Sequence, residues 1–144
     1  VVDLGACEVV SQAGITCIQG DMRNIETLTQ GASFDICCVQ RAVHYLRYDE
    51  ALALLQYLKK VVVTKLFISV SGLESDIGLQ YADADKQVDM RFCVLNTADA
   101  ETFSIHEPVC LYTPEEFIGL LQESGWKIEE CWVSAFGNIK AVCS

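Results

Sequence analysis

Apolar residues recur along the chain in five short runs that are rich in β-branched or aromatic side chains. Polar residues or glycine bound each run, which is the pattern of β-strands. The predicted strands are residues 15–19, 34–39, 65–70, 127–134 and 138–144. Two runs, DICCV and LFISV, are almost wholly apolar, and this predicts strands that are covered on both faces, as in a parallel sheet.

Two further segments carry apolar residues at helical spacing. The first predicts a helix over residues 49–61, with Asp49 as its N-cap. The second, TPEEFIGLLQESG, has stronger boundary signals. Thr113 is the predicted N-cap, a proline follows at the first helical position, and Glu116 completes a capping box. Gly125 is the predicted end of this helix.

The alternation of strands and helices predicts an α/β fold with a mainly parallel sheet. Only residues 135–137 separate the last two strands, which is too few for a helical crossover, so the final strand is predicted to be antiparallel. Residues 71–112 interrupt the alternation and contain the strand-like pieces RFCVL and TFSIH. A connection of this length often forms a lid. The sequence therefore predicts a single domain over residues 1–144, with 71–112 as a lid region.

Composition narrows the choice of partners. The formal net charge of -10 opposes binding to a phosphate backbone. No apolar run approaches the ~20 residues that span a bilayer, and no secretion signal is visible. The eight cysteines lie mostly in apolar stretches without a CxxC pair, which favours reduced thiols and no metal site. We therefore expect a cytoplasmic protein without nucleic-acid or membrane partners, and its oligomeric state stays open.

Four segments in order resemble the class I S-adenosylmethionine (SAM)-dependent methyltransferases of the small-molecule type. VVDLGA is similar to the family's first motif, and GITCIQGDMR to its third strand. ASFDICCVQRAVHYL resembles the fourth strand and the helix after it, and the stretch from LYTPEEF to NIKAV resembles the last helix and last two strands. The resemblance implies a Rossmann-like three-layer α/β/α fold that transfers a methyl group from SAM to a small-molecule acceptor.

The resemblance also implies roles for eight residues. Five would bind the cofactor, with Asp3 and Gly5 near the methionine end of SAM, Asp21 and Met22 at the adenine, and Gln40 along the methionine moiety. Three would face the substrate: Arg41, His44 and Tyr45.

Three of these roles have structural alternatives. Asp21 could accept a hydrogen bond from the adenine amino group, or it could cap the turn into MRNIE. His44 is the candidate general base, although proximity alone suffices for many such enzymes and a structural role is the alternative. Arg41 could pair with a substrate carboxylate or with a neighbouring aspartate.

The first motif departs from the family pattern. The second and third glycines are absent after Gly5, and so is the second strand with its ribose-binding acid. Residues 6–14 are too few for a parallel crossover, so residues 1–5 and 15–20 are not expected to be parallel neighbours. Either the chain lacks a stretch of its cofactor loop, which we favour, or it is a non-catalytic relative that binds a protein partner. A dehydrogenase half is a third reading, disfavoured by the missing G-x-G-x-x-G and by the terminal hairpin.

Overall fold

The computed structural model describes residues 1–4 and 16–144. These residues form two compact units, Val1–Ser33 and Phe34–Ser144. The predicted single domain over residues 1–144 stays a prediction.

The first unit contains a two-stranded parallel sheet. Strand β1 (Val2–Asp3) pairs with β2 (Ile18–Gln19). A 3-10 turn at Met22–Asn24 then leads into the short helix α1 (Ile25–Thr29).

The prediction that these two segments are not parallel neighbours is therefore wrong. Each paired strand is only two residues long, much shorter than the apolar runs suggested. The connection consequently includes residues 4–17, which exceeds the dozen or so residues that a parallel crossover needs.

The second unit is built on a four-stranded sheet, and its strands are β3 (Phe34–Gln40), β4 (Val62–Ser71), β5 (Ile128–Val133) and β6 (Asn138–Cys143). Their order in the sheet is β3-β4-β6-β5. Strands β3 and β4 are parallel, whereas β6 lies between β4 and β5 and runs antiparallel to both. The predicted α/β architecture with a reversed final strand is confirmed.

Two helices pack on this sheet and against each other, α2 (Tyr48–Val61) and α4 (Pro114–Glu123). The predicted N-cap of α2 is wrong, because Arg47 occupies that position. The helix begins one residue before Asp49, and the carboxylate of Glu50 accepts the Arg47 backbone N–H at 2.9 Å.

The boundaries predicted for α4 are confirmed. The Thr113 hydroxyl accepts the Glu116 N–H at 3.2 Å, and the Glu116 carboxylate accepts the Thr113 N–H at 2.8 Å. Gly125 follows with a φ of +88°, the left-handed conformation that glycine adopts readily. Beyond it, the indole N–H of Trp126 donates to the Leu55 carbonyl at 3.1 Å, which fixes α2 to the start of β5.

The prediction that both faces of the apolar strands are covered is wrong for β3. Phe34 and Ile36 are 40% and 55% exposed. Among the described residues β3 pairs only with β4, so it is the outermost strand on its side of the four-stranded sheet. In β4, Leu66 and Val70 are fully buried while Phe67 is 41% exposed, which indicates that the helices cover one face. An apolar run does not record whether its second face has a covering layer.

Residues 71–112 form two 3-10 turns, at Asp76–Gly78 and Val88–Met90, and the helix α3 (Thr97–Phe103). The prediction of a strand at TFSIH is therefore wrong. Asn96 caps α3 by accepting the Asp99 N–H at 3.0 Å, and TF lies in the last turn of the helix.

This segment has a hydrophobic cluster of its own, formed by Ile77, Tyr81, Leu95, Ile105, Val109 and Leu111. One side chain ties it to α4. The guanidinium of Arg91 is 4% exposed and forms two contacts with the Glu116 carboxylate, at 2.7 and 3.0 Å. It also donates to the carbonyls of Leu111 and Lys86, both at 2.7 Å. The segment is thus a packed part of the second unit.

Cys17 is disulfide-bonded, so the prediction of reduced thiols is wrong at that position. The apolar neighbours of a cysteine do not record which thiol the fold brings within bonding distance. Six other cysteines are free: Cys37, Cys38, Cys93, Cys110, Cys131 and Cys143. Within residues 1–4 and 16–144, no helix has the length and apolar character to cross a membrane, and no cluster of ligating side chains could hold a metal.

Candidate functional site

The candidate residues of the first unit lie at the carboxyl end of its sheet. Asp3 ends β1, and Asp21 and Met22 follow β2 closely. The N–H of Gly20 donates to the Asp3 carbonyl at 2.9 Å, which holds the two strand ends side by side. Ligands of α/β folds bind at this edge of the sheet. Gly5 lies outside the described residues.

The Asp21 carboxylate caps the 3-10 turn that follows it. One oxygen accepts the Arg23 backbone N–H at 2.9 Å, and the other pairs with the Arg23 guanidinium at 3.0 Å. The backbone hydrogen bond from Arg23, which outweighs a slight effect of burial, lowers the pKa of Asp21 below its ordinary value. The carboxylate is therefore ionised at neutral pH.

The Asp21 carboxylate can accept further hydrogen bonds while it caps the turn. Each of its oxygens can accept two hydrogen bonds, and the second oxygen of Asp21 accepts only the Arg23 guanidinium among the described residues. The residue is also partly exposed. An exocyclic amine of a purine fits such an ionised acceptor, so the two roles considered for Asp21 are compatible.

The candidate residues of the second unit follow β3. Gln40 ends that strand, and Arg41 comes next with a φ of +49°, a left-handed conformation that is uncommon for a residue with a side chain. Its backbone N–H donates to the carbonyl of Ser69 on β4 at 2.9 Å. Strained residues of this kind cluster at functional sites, because neighbouring structure must hold them in place. Gln40 and Arg41 are both exposed.

His44 lies in the 3-10 turn Val43–Tyr45 and is only 1% exposed. Its ring atom Nδ1 accepts the backbone N–H of Ser71 at 3.4 Å. Burial, with a further contribution from the charge of Arg41, lowers the pKa of His44 to about 4. The ring is therefore neutral at pH 7 with its one lone pair already engaged, and this arrangement favours the structural alternative over the general base.

Tyr45 is also less available than the sequence predicted. Its ring centroid lies 4.4 Å from that of His44, and its side chain packs against the hydrophobic cluster of the 71–112 segment. Of the three residues expected to face a substrate, Arg41 is the exposed one.

A shallow cavity of about 200 Å³ opens beside Gln40. Its walls are Cys38, Gln40, Phe67, Ile68, Ser69, Trp132, Lys140 and Ala141. Pockets for small molecules usually enclose about 300–1,000 Å³, so this cavity alone is smaller than a usual ligand pocket.

Sequence reasoning did not single out the aromatic walls of this cavity. In a strand, successive side chains point to opposite faces of the sheet. Phe67 and Trp132 therefore point to the face opposite to that of their chain neighbours, and this alternation was the available signal.

Neither a protein-family model nor the sequence of a curated protein matches this chain. Solved structures do match it in fold. A SAM-dependent methyltransferase from Clostridium acetobutylicum ATCC 824 has a TM-score of 0.68 at 11% identity, over 99% of this chain and 73% of that one. An O-methyltransferase family 2 protein from Planctomyces limnophilus DSM 3776, in complex with apigenin, has a TM-score of 0.60 at 17% identity, over 95% of this chain and 38% of that one.

A third similar structure, from Rhodobacter sphaeroides, is described as a zinc-dependent alcohol dehydrogenase. Its TM-score is 0.67 at 14% identity, over 95% of this chain and 68% of that one. Across the structures compared, this chain spans 35% to 73% of their lengths. The chain thus has the Rossmann-like fold of the class I methyltransferases. At these identities the likeness concerns the fold, and the reaction must be argued from the residues.

Proposed function

We propose that this chain is a SAM-dependent methyltransferase domain that acts on a small-molecule acceptor. The observation that carries the proposal is the position of β6, reversed between β4 and β5. The methyltransferase resemblance predicts a reversed final strand, whereas the hairpin that ends the chain counts against a dehydrogenase half. The candidate residues of each unit lie at the carboxyl ends of its strands, which supports the same reading.

Four described residues are proposed to hold the cofactor. Asp21 accepts a hydrogen bond from the adenine amino group, and Met22 packs on the adenine ring. Asp3 and Gln40 contact the methionine moiety. SAM supplies an electrophilic methyl group on a sulfonium, for direct displacement by an oxygen, nitrogen, sulfur or carbon nucleophile.

On the acceptor side, the exposed guanidinium of Arg41 is proposed to orient a carboxylate or another polar group of the substrate. Residues 71–112 are proposed to cover the acceptor. Their acidic side chains favour a cationic or neutral polar substrate over a polyanion. The cytoplasmic location and the absence of nucleic-acid and membrane partners stay predictions.

The test is a calorimetric titration of SAM into this chain, with the intact mass recorded on the same sample. We expect saturable binding in the micromolar range. An absence of heat from a sample of 15.9 kDa would sink the proposal and leave the partner-binding alternative in front.

Two variants separate recognition from folding. Asp21→Asn keeps an oxygen that can cap the turn but replaces the other oxygen by an NH₂ donor, so SAM should bind about tenfold or more weakly. Arg23→Met removes the ion pair and keeps the carboxylate, so binding should change by no more than about twofold, as for an exposed pair. Equal losses in both variants would show that the ion pair with Arg23, and not a further acceptor site on the carboxylate, matters.

A further inference from the structure

The exposed face of the four-stranded sheet carries a row of four side chains, one from each strand. Backbone pairing aligns Gln40 of β3 with Ser69 of β4. It also aligns Lys140 of β6 with Ser69 on one side and with Trp132 of β5 on the other. Residues in register on neighbouring strands point to the same face of a sheet. All four line the cavity of about 200 Å³, so the row crosses the whole width of that cavity.

Two aromatic side chains stand on either side of β6 in this cavity. Phe67 belongs to β4 and Trp132 to β5, and β6 lies between these strands. At the usual strand spacing their backbones are roughly 10 Å apart, which leaves room for a planar ring between the two side chains. Both side chains are partly exposed. Since a cavity of about 150 Å³ can hold benzene, one of about 200 Å³ has the size for one aromatic ring with a small substituent.

The polar groups of the cavity are hydrogen-bond donors. The Gln40 amide, the Lys140 ammonium and the Trp132 indole N–H have no partner among the described residues. No residue that lines the cavity carries a carboxylate. By contrast, Lys65, on the same face of β4, is neutralised by an ion pair with Glu129. The cavity therefore offers one unpaired positive charge and several donors, which is the complement of a small anion.

We propose that this cavity binds a small aromatic acid. The ring of the acid lies between Phe67 and Trp132. Its carboxylate accepts hydrogen bonds from Lys140 and Gln40. A second copy of the chain is a less suitable occupant, because two chains with a net charge of -10 repel each other. The site is argued from this cavity alone and does not rest on the proposed function.

Nuclear magnetic resonance of the ¹⁵N-labelled chain, titrated with benzoate, tests the site. The chain has two tryptophans, and a Trp132→Phe variant assigns their indole N–H signals. We expect the Trp132 signal to shift saturably with a Kd of about 1 mM or tighter. The Trp126 signal should stay in place, because that indole is buried and bonded to the Leu55 carbonyl. A Trp132 signal without a saturable shift up to about 10 mM benzoate would overturn the proposal.

Two analogues of benzoate separate the roles of the charge and the ring. Benzamide keeps the ring without the charge, and cyclohexanecarboxylate keeps the charge without the aromatic ring. Each should bind at least about threefold more weakly than benzoate. An analogue that binds as tightly as benzoate would overturn the aromatic acid as the ligand class.

A matched pair of variants tests the cation. Lys140→Met should weaken benzoate binding at least about threefold, whereas Lys60→Met, at an exposed position of α2, should leave it unchanged. An unshifted Trp126 signal shows that each variant is folded. Equal affinities in the two variants would contradict the site. A Trp132 signal that moves with protein concentration in the absence of benzoate would assign this face to a second copy of the chain and overturn the proposal. These titrations need no SAM, so their outcome is independent of the calorimetric titration.

Discussion

The contact between Arg91 and Glu116 allows a direct test of how residues 71–112 are attached to α4. Arg91 is almost completely buried and forms a two-point contact with Glu116, which is partly exposed. Glu116 also caps α4 through the Thr113 N–H. One carboxylate therefore serves both the cap of α4 and the attachment of the segment.

Glu116→Gln should lower the free energy of unfolding by about 3 kcal/mol. Breaking a buried ion pair by removing one partner costs about 3–5 kcal/mol, because an uncompensated charge remains buried. The lower end applies because Arg91 keeps the carbonyls of Leu111 and Lys86 as acceptors. Arg91→Met removes the charge itself but leaves those two carbonyls without their donor. We expect the free energy of unfolding to fall by about 2 kcal/mol.

The double variant should cost less than the sum of the two single variants by at least about 1 kcal/mol, since the residues are in direct contact. Both tryptophans lie in the second unit, so urea unfolding followed by fluorescence reports on that unit. A slope of about 1.5 kcal/mol per molar urea would give a midpoint shift of about 2 M for Glu116→Gln.

Asp49→Asn, at an exposed pair with Arg47, is the control and should change stability by at most about 0.5 kcal/mol. Additive single effects, or a loss no larger than that of the control, would refute the assignment of Arg91 as the attachment of the segment.

Three more predictions use the same unfolding assay. Thr113→Ala should cost about 1 kcal/mol by removing the cap of α4, whereas Thr113→Ser should be nearly neutral, and equal losses would contradict the capping role. Gly137→Ala should cost more than 1 kcal/mol, because φ is +73° and the added Cβ would lie 2.4 Å from the Ser75 Cβ; Gly119→Ala, in an open helical position, should be neutral or stabilising. His44 has a pKa of about 4 when folded against 6.5 for an ordinary histidine, so its contribution is present above pH 6.5 and is lost as the pH falls towards 4, by about 3 kcal/mol. His44→Gln should flatten that part of the stability–pH curve, and an unchanged curve would show that His44 is not its cause.

Glu116 adds a second dependence of stability on pH, at a lower pH than that of His44. Burial alone would raise the pKa of its carboxyl, but hydrogen bonds from Arg91 and from the Thr113 backbone outweigh burial and lower that pKa. Its contribution to stability is therefore complete above about pH 4.5 and decreases below it.

Local signals were most reliable where the chain contacts itself over a few residues. The capping box of Thr113 and Glu116 and the stop at Gly125 lie within one helix, so the sequence contains all the atoms that define them. The reversal of β6 was equally accessible, because residues 135–137 leave no room for a crossover. The N-cap of α2 was missed by two residues, since Arg47 has no capping side chain of the usual type.

Contacts between distant residues were not visible in the sequence. The TFSIH piece has strand-like composition, but Asn96 caps a helix whose last two residues are Thr102 and Phe103, and Phe103 packs against the cluster of the 71–112 segment. The length of the β1–β2 connection was underestimated because an apolar run does not show how many of its residues pair. Likewise, nothing in the sequence around His44 records that the Ser71 N–H, 27 residues away, reaches its ring.

The sequence by itself determined the α/β class, the two main helices, the reversed last strand and the residues that follow β3. These depend on periodicity, caps and connection length, which are local quantities. Only the tertiary structure decided that His44 is buried with its acceptor nitrogen engaged, that Arg91 binds Glu116, and that one face of β3 and β4 is exposed. Burial and long-range hydrogen bonds arise from packing segments far apart in the chain, and packing decides which side chains keep their chemistry available.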